Sequence, residues 1–364
     1  MSGGSILNSV NVLLDKVVSG ERLSEEEGVA LYHNCDLLSL GRAADLIRRR
    51  LHPEGVVTFV VDRNINYTNV CKSACLFCAF YRREEDPDAY VLSHEEIMDK
   101  IGELVAQGGT QVLIQGGLHP KLRLDYLTEL FRKIKARFPG VHIHSLSPPE
   151  IVHLAKTEDL SVKDVLLRLK DAGLDSLPGG GAEILVNRVR QVISPRKITW
   201  QEWMAVMVTA FELGLFGTAT MMFGSVDTPE DRVKHIVRVR EVQDKTGGFS
   251  AFIPWTYQPG NNELGGEPVA VVDYLRVLAL SRILLDNVRN IQASWVTQGV
   301  KVGQVALAFG ANDFGGTMLE ENVVRAAGTG YRAEQDEIVR VIRDAGFIPA
   351  QRTTDYRIIR TFLQ

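Results

Sequence analysis

The hydrophobic pattern of the chain changes near residue 55. Before that point, apolar residues recur at helical spacing, as at Val10 and Leu14, and Ser24 and Glu27 have the spacing of a capping box that opens a second helix. Beyond it, short apolar runs alternate with amphipathic stretches, a pattern typical of repeated strand and helix units. The sequence therefore predicts an α/β protein in which residues 1–55 form an N-terminal helical extension.

Eight apolar runs in the second part of the chain are candidate strands. They are residues 56–61, 111–115, 141–145, 174–177, 217–223, 251–255, 291–295 and 310–313. Helix-start patterns of the capping-box type stand between them, at Ser93, Ser161, Thr199 and Thr228. Eight such units predict a closed (βα)8 barrel similar to a TIM barrel, whose active site lies at the carboxyl ends of the strands.

We assign this barrel to residues 56–315 and a C-terminal α/β elaboration, packed on the barrel, to residues 316–364. An incomplete barrel of six units with a separate C-terminal lobe is the alternative. No Gly/Ser/Pro linker or block of like charges divides the sequence, which favours one catalytic domain.

The composition narrows the classes of partner. With 45% hydrophobic residues, 24% charged residues and a formal net charge of -4, the chain has no basic excess that would favour nucleic acid. It has no run of about 18 apolar residues, and its N-terminal sequence lacks the charged and apolar regions of a signal peptide. We therefore expect a cytoplasmic enzyme without stable membrane insertion.

Three of the four cysteines lie within eight positions, directly after the first predicted strand. Cys71, Cys75 and Cys78 have C-x3-C-x2-C spacing, and thiolates are the usual ligands of iron–sulfur clusters. Three ligands rather than four leave one iron of a [4Fe–4S] cluster free for a small molecule. The alternative is a structural zinc site, although zinc ligands usually occur as C-x2-C or H-x3-H pairs. Cys35 is expected to be an ordinary buried thiol.

This cysteine loop resembles that of the radical S-adenosylmethionine superfamily. The resemblance implies that the open iron binds S-adenosylmethionine, which is cleaved to a 5′-deoxyadenosyl radical by an electron from an external reductant of the flavodoxin or ferredoxin type. It implies contacts from Gly116 and Gly117 to the methionine amino group and from Glu183, which is expected to start a helix, to the ribose hydroxyls. The other expected cofactor contacts are Phe77, Phe80, Ser145 and Arg188.

Aromatic and polar side chains follow several later strands and make a mouth suited to a ligand with an aryl ring and hydroxyls. The candidates for substrate contact or catalysis are His144, Ser147, Trp255, Gln258, Trp295, Asp313 and Glu320. His144, Asp313 and Glu320 are the candidates for a general base, and the sequence does not rank them. His144 and the two tryptophans are equally consistent with packing residues of a barrel core.

The stretches 252–260 and 310–317 resemble more particularly the cyclic dehypoxanthinyl futalosine synthases of menaquinone biosynthesis. That resemblance covers most of the chain from residue 56 and implies a nucleoside-like benzoate substrate. A radical formed at C4′ of its ribose adds to the benzoate ring. Aminofutalosine synthases and the tyrosine-using enzymes of deazaflavin cofactor synthesis share the cysteine loop and are the nearest alternatives. A non-enzymatic zinc-binding barrel is a distant one.

Overall fold

The structure is a computed structural model that describes residues 3–363, so that the first two residues of the N-terminal sequence discussed above lie outside it. In the described part of the chain, no helix is long and apolar enough to cross a membrane. The helices are α1 Gly3–Ser19, α2 Glu25–Asn34, α3 Leu37–Leu51, α4 His94–Ala106, α5 Leu124–Arg137, α6 Pro148–Glu158, α7 Val162–Ala172, α8 Asn187–Ile193, α9 Trp200–Glu212, α10 Pro229–Thr246, α11 Val271–Leu284, α12 Trp295–Gln298, α13 Val300–Ala306, α14 Val323–Ala326 and α15 Gln335–Asp344.

The predicted helix starts are confirmed. Ser24, Ser93, Thr199 and Thr228 each cap a helix through a complete capping box, and the Ser161 side chain accepts a hydrogen bond from the Asp164 amide. These caps satisfy amide groups that have no partner within the helix, and this fixes where each helix begins. Of the three N-terminal helices, α2 and α3 pack against α10 and α11, and α1 packs against α2 and α3.

The strands form two sheets. They are β1 Val56–Val60, β2 Asp62–Asn66, β3 Gln111–Gln115, β4 His142–Ser145, β5 Ser176–Leu177, β6 Phe216–Phe223, β7 Phe249–Thr256, β8 Asn290–Ile291, β9 Asp313–Gly316, β10 Ile348–Arg352 and β11 Ile358–Thr361. One sheet runs in the order β2 to β8, with every neighbouring pair parallel. The other has the order β11-β10-β1-β9.

Two junctions join these sheets into a ring. β1 continues into β2 through Val61, and a parallel bridge between Gln292 and Asp313 links the end of β8 to β9. Because β9 also pairs with β1 in parallel, eight parallel strands surround the core when β1 and β2 are counted as one. The predicted α/β barrel is thereby confirmed.

The last two predicted strands have wrong limits. β8 ends at Ile291, because Trp295 already begins α12, and β9 begins at Asp313 rather than at Gly310. Gly310 takes the left-handed conformation (φ 102°), and the buried Arg282 donates hydrogen bonds to its carbonyl (2.8 Å) and to Asn312 Oδ1 (2.6 Å). These contacts hold residues 310–312 as a turn that precedes the strand.

The C-terminal segment continues the barrel sheet rather than forming a separate lobe. β10 pairs in parallel with β1, matching Val56 to Ile348, and β11 pairs antiparallel with β10. This contact lies at the amino-terminal end of β1, which is the floor of the barrel. The floor is therefore covered by residues from the far end of the chain, while the strand ends that carry the cysteine loop are at the opposite side.

Candidate active site

The cysteine loop, residues 71–78, folds back on itself after β2. The Cys71 amide donates to the Arg82 carbonyl (3.0 Å), and the Cys78 amide donates to the Cys75 carbonyl (3.0 Å). The Arg82 guanidinium donates to the Tyr81 carbonyl (2.9 Å) and pairs with Asp88 (2.7 Å). The three thiols thus stand on a short segment whose backbone is hydrogen-bonded at both ends. Cys35, on the N-terminal side, is buried as expected.

Gly116 and Gly117, after β3, are packed directly against this loop. A Cβ added at Gly117 would lie 2.2 Å from the Val70 carbonyl oxygen and 2.8 Å from the Cys71 Cβ, and one added at Gly116 would lie 2.7 Å from the ring of Tyr67. All three distances are far below van der Waals contact. Glycine is required at Gly117 because its backbone touches the start of the cysteine loop, and at Gly116 because the Tyr67 ring fills the place of a side chain.

Glu150, which the sequence analysis did not single out, organises the same corner. Its buried carboxylate accepts hydrogen bonds from the Gly116 amide (2.9 Å), the Tyr67 hydroxyl (3.0 Å) and the Ser147 hydroxyl (2.6 Å). Burial raises the pKa of Glu150, against the effect of these donors. The Gly116 amide already donates to Glu150, and an amino group needs an acceptor. A contact from Gly116 to a methionine amino group would therefore come from the Gly116 carbonyl oxygen.

Glu183 lies in a non-helical turn, and the expectation that it starts a helix is wrong. It has a left-handed backbone (φ 41°), and α8 begins only at Asn187. Its carboxylate is 5% exposed and accepts a hydrogen bond from the Lys197 ammonium (2.7 Å), with the Arg190 guanidinium 3.4 Å away. Two cations therefore hold one buried carboxylate that lines the barrel cavity.

Lys197 also connects this carboxylate to the cysteine loop. Its ammonium lies 5.3 Å from the centre of the Phe77 ring. Burial acts to lower the pKa of Lys197, but the Cys75 thiol and Glu183 act more strongly to raise it. Burial raises the pKa of Cys75 to about 11 and also raises that of Cys78. The Lys197 ammonium acts in the opposite direction and favours the thiolate forms of both.

The donor set fits the cofactors that the sequence predicts. Three thiols on one braced loop, a backbone approach at Gly117 and a buried carboxylate with its own cations supply ligands for a cluster and acceptors for a nucleoside. Residues 3–363 contain no group of three His, Cys, Asp or Glu side chains arranged to hold a single metal ion.

Three predicted cofactor contacts are engaged elsewhere. The half-exposed Arg188 pairs with Asp231 at the start of α10. The Ser145 hydroxyl is buried and donates to the Ile114 carbonyl (2.7 Å). The Phe80 ring meets Tyr90 edge-on, with 6.5 Å between the ring centres. None of these three contacts involves Glu183. The α8 arginine that lies beside Glu183 is Arg190, not Arg188.

A cavity of about 270 Å³ occupies the barrel interior. Its lining includes residues from most of the strands, namely Asp62, Asn64, Gln111, Gln115, His144, Glu183, Thr218, Thr220, Ile253, Trp255, Gln292, Trp295, Glu321 and Arg352. Apolar side chains and amide or hydroxyl groups alternate along this wall, as in sites for small polar ligands with an aromatic part. We refer to it as the barrel cavity.

Of the predicted substrate residues, His144, Trp255 and Trp295 line the barrel cavity. Trp295 is nearly fully buried and donates from Nε1 to the Gly316 carbonyl (3.1 Å). Ser147 and Gln258 have structural partners instead. Ser147 is bonded to Glu150, and the Gln258 side chain accepts from the Thr329 hydroxyl (2.8 Å).

Two of the three predicted bases are held in ion pairs. Asp313 is buried at the floor, where the Arg352 guanidinium contacts both of its oxygens (2.5 and 2.9 Å). Glu320 accepts from Arg63 (2.9 Å) and Lys100 (2.7 Å), and the pKa of Glu320 is lowered although burial opposes the shift. His144 is the one of the three that faces the barrel cavity.

Asp62 and Asn64 of β2 are cavity residues that the sequence analysis missed. Asp62 is 3% exposed, accepts from the Met318 amide (3.0 Å) and lies 3.4 Å from Gln111 Nε2. Burial raises the pKa of Asp62 to about 6. Asn64 Oδ1 is buried without a hydrogen-bond partner among residues 3–363. Their alternation along the strand before the cysteine loop is the sequence signal that could have found them, since alternate residues of a strand share one face.

Two family models match the chain. The model of the radical SAM superfamily matches residues 65–239, and the model of the CofH/MqnC C-terminal region matches residues 246–363. The first range contains the cysteine loop and Glu183, and the second contains Trp255, Trp295 and the segment that covers the barrel floor. The two matched ranges adjoin within α10.

Individual proteins are similar over nearly the whole chain. A cyclic dehypoxanthine futalosine synthase of Halalkalibacterium halodurans is 48% identical over 97% of this chain and 96% of its own. A 5-amino-6-(D-ribitylamino)uracil–L-tyrosine 4-hydroxyphenyl transferase of Methanopyrus kandleri is 42% identical over 97% of this chain and 98% of its own. Among solved structures, methylornithine synthase has a TM-score of 0.74 and 20% identity over 93% of this chain and 97% of that chain, a likeness of fold alone.

Proposed function

The chain belongs to the radical S-adenosylmethionine superfamily, and from that premise we propose that it closes a ring, converting dehypoxanthine futalosine to cyclic dehypoxanthine futalosine in menaquinone biosynthesis. The observation that carries the proposal is the 48% identity to the H. halodurans cyclase over 97% of the chain. The matched length spans the cysteine loop, the residues of the barrel cavity and the C-terminal floor together. The proposal therefore concerns the whole site rather than one motif.

In this proposal Cys71, Cys75 and Cys78 each bind one iron of a [4Fe–4S] cluster and leave the fourth iron to S-adenosylmethionine. When bound and reduced by an external flavodoxin or ferredoxin type of donor, this pair supplies a 5′-deoxyadenosyl radical. Glu183 accepts hydrogen bonds from the ribose hydroxyls of the cofactor. Lys197 holds that carboxylate in place, since the two groups are 2.7 Å apart.

The barrel cavity receives the substrate. Hydrogen is removed from C4′ of the substrate ribose, and the resulting carbon radical adds to the benzoate ring. Trp255 and Ile253 offer apolar contact to the ring, and Thr218, Thr220 and the glutamine side chains offer hydrogen bonds to the ribose hydroxyls. Product formation then requires the loss of one electron, to an acceptor of the iron–sulfur class, and of one proton, to a base in the cavity.

A second candidate function comes from the archaeal relatives. The M. kandleri transferase is 42% identical over a similar length, and its name specifies tyrosine as a substrate. The apolar and amide lining of the barrel cavity is compatible with a phenol ring as well as with a benzoate ring. The chain is 48% identical to the cyclase and 42% identical to the transferase, over the same 97% of its length, and this difference favours ring closure.

A substrate comparison tests the proposal. Anaerobically reconstituted protein is incubated with S-adenosylmethionine, a strong reductant and one of three substrates: dehypoxanthine futalosine, the precursor used by aminofutalosine synthases, or tyrosine with 5-amino-6-(D-ribitylamino)uracil. Mass spectrometry then measures cyclised product, other products and 5′-deoxyadenosine. We expect cyclised product and an equal amount of 5′-deoxyadenosine from the first substrate only. Consumption of either of the other substrates, without a cyclised product, would overturn the proposal.

Cysteine variants test the cluster separately. We expect Cys71→Ala, Cys75→Ala and Cys78→Ala each to lose the brown colour, the bound iron and 5′-deoxyadenosine formation, because each removes a ligand. Cys35→Ala is the matched control, since Cys35 is buried outside the loop. It should keep the iron content of the wild type. Colourless wild-type protein with one zinc per chain would instead indicate a structural zinc site.

A further inference from the structure

Two histidines and a serine form a hydrogen-bonded chain from the barrel cavity to the floor. His144 Nδ1 lies 2.6 Å from Ser176 Oγ, and the same oxygen lies 2.7 Å from His142 Nε2. The two histidines point to one face of β4 because they alternate along the strand, and Ser176 of β5 pairs with His144 in the sheet. One fully buried hydroxyl thus bridges two imidazole rings.

The two ends of this chain differ in exposure. His144 is buried and lines the cavity, so its free nitrogen Nε2 is the one that a cavity ligand can reach. His142 begins β4 at the floor of the barrel and is half-buried, next to the ring of Phe216 (5.5 Å between ring centres). The chain therefore runs from the closed interior toward the outside of the barrel.

We propose that His144, Ser176 and His142 form a proton relay that carries the proton lost in ring closure from the barrel cavity to the floor. This inference rests on the proposed function. His144 Nε2 takes the proton from the ring carbon to which C4′ has become bonded, and His144 Nδ1 gives its own proton to Ser176 Oγ. Ser176 passes its hydroxyl proton to His142 Nε2, and His142 releases a proton from Nδ1 to water. No group gains a net charge, and the electron leaves separately.

The environment of His144 favours such a transfer. Burial, followed by His142 and Arg352, lowers the pKa of His144 to about 3, so an imidazolium there is costly. A base that releases one proton as it takes another avoids that cost. At the outer end, burial and the Lys135 ammonium lower the pKa of His142 while Asp175 and Asp355 raise it, with a net lowering. Lys135 and Asp175 are themselves an ion pair (2.5 Å).

Asp62, Glu183 and Glu321 are the other carboxylates that line the barrel cavity, and none of them is placed to pass a proton on. Glu183 is held by Lys197 and Arg190, and Glu321 accepts hydrogen bonds from the backbone amides of residues 323–325. Asp62 also has only donors as partners. Its carboxylate is contacted by the Met318 amide and approached by Gln111 Nε2, and both groups are hydrogen-bond donors that accept no proton. A proton taken by Asp62 would stay there until the product left. The relay differs because each of its three members both donates and accepts.

Ser176 and His142 act through His144 and are positioning residues, so the test follows the fate of the radical as well as the rate. We measure cyclised product and 5′-deoxyadenosine in the same anaerobic reactions with dehypoxanthine futalosine, for Ser176→Ala, Ser176→Thr and His142→Asn. Ser281→Ala, another buried serine on α11, and His33→Asn, an exposed histidine on α2, are the matched controls. The pH dependence of product formation is recorded for each protein.

We expect Ser176→Ala and His142→Asn to lower cyclised product roughly tenfold or more while 5′-deoxyadenosine still forms, so that the ratio of 5′-deoxyadenosine to product rises. Ser176→Thr, which keeps a hydroxyl, should partly restore the ratio. In the wild type, product formation should fall at low pH as His142 becomes protonated. The fall should occur below the ordinary histidine pKa of about 6.5, because the pKa of His142 is lowered. His142→Asn should lack that dependence.

Each contrary outcome has a distinct meaning. Relay variants that keep the wild-type ratio and pH profile would overturn the relay, as would a raised ratio in Asp62→Asn with unchanged relay variants. Equal loss of both products in Ser176→Ala and in His142→Asn would show a structural role and also overturn it. A wild type that forms no cyclised product would contradict the proposed function instead.

Discussion

The Lys197 ammonium lies 2.7 Å from the buried Glu183 carboxylate and is itself largely buried, between the cysteine loop and the barrel cavity. The pair places a carboxylate at the boundary between the two parts of the site. Arg190, 3.4 Å from the same carboxylate, adds a second positive charge. The two cations fix the position of the Glu183 carboxylate, which can then accept charge-assisted hydrogen bonds from ribose hydroxyls.

Replacing this carboxylate by an amide should weaken cofactor binding. We predict that Glu183→Gln lowers the affinity for S-adenosylmethionine roughly tenfold or more, because a hydrogen bond to a charged group contributes about 1.5–3 kcal/mol. Equilibrium binding to the reconstituted protein measures the effect, and iron content should stay unchanged. Glu241→Gln, at an exposed position of α10, is the control. Unaltered affinity in Glu183→Gln would remove Glu183 from the cofactor site.

Gly117 is in contact with the cysteine loop, so we predict that adding one methyl group at this position reduces binding of the iron–sulfur cluster. In Gly117→Ala the new Cβ would lie 2.2 Å from the Val70 carbonyl, so the loop must move. We expect less than half of the wild-type iron content after reconstitution, measured by iron analysis and absorbance. Gly140→Ala, where a Cβ meets nothing within 4 Å, should bind iron normally. Normal iron in Gly117→Ala would show that the loop tolerates displacement.

The buried pair of Asp313 and Arg352 should stabilise the barrel floor. Arg352→Met leaves the Asp313 carboxylate buried without its cation, and we expect the free energy of unfolding to fall by about 3–5 kcal/mol. Urea unfolding of the apoprotein measures this change. Arg340→Met, which removes an exposed ion pair on α15, should cost less than about 1 kcal/mol. Equal small effects would mean that β10 is not held to the barrel by this pair.

Asp62 should make stability depend on pH in an unusual direction. Burial raises the pKa of Asp62 to about 6, so between roughly pH 4 and pH 6 the folded protein holds a proton that the unfolded chain has lost. The free energy of unfolding therefore falls as pH rises through this window, by about 3 kcal/mol for this group. Asp62→Asn lacks the contribution, so its stability relative to the wild type should grow from pH 4 to pH 7. Parallel urea-unfolding profiles for the two proteins would contradict the shift.

The parts of this structure that sequence patterns predict are local. Capping boxes such as that of Ser93 and Glu96 depend on residues three positions apart, and the cysteine spacing lies within one loop. Lys197 and Glu150 escape such patterns, because their roles depend on contacts with Glu183 and Gly116 that only the folded barrel creates. The role of Asp313 escapes them for the same reason. The pattern predicts Asp313 as a candidate base at the end of a strand, but it begins β9 and is the ion-pair partner of Arg352.

Ser176 shows the same limit more sharply. Its strand has two residues, too short for a periodic signal, and nothing near it in sequence marks a polar role. The parallel pairing of β4 and β5 places its hydroxyl between His142 and His144. Alternation along β4 puts the two histidines on one face, but the bridging group comes from another strand.

The transfer of a labelled hydrogen tests the central claim most directly. Dehypoxanthine futalosine carrying deuterium at C4′ is incubated anaerobically with the reduced protein and S-adenosylmethionine, and 5′-deoxyadenosine is analysed by mass spectrometry. The account predicts one deuterium in 5′-deoxyadenosine, formed together with cyclised product. Unlabelled 5′-deoxyadenosine, or label that remains in recovered substrate while tyrosine supports turnover, would contradict it.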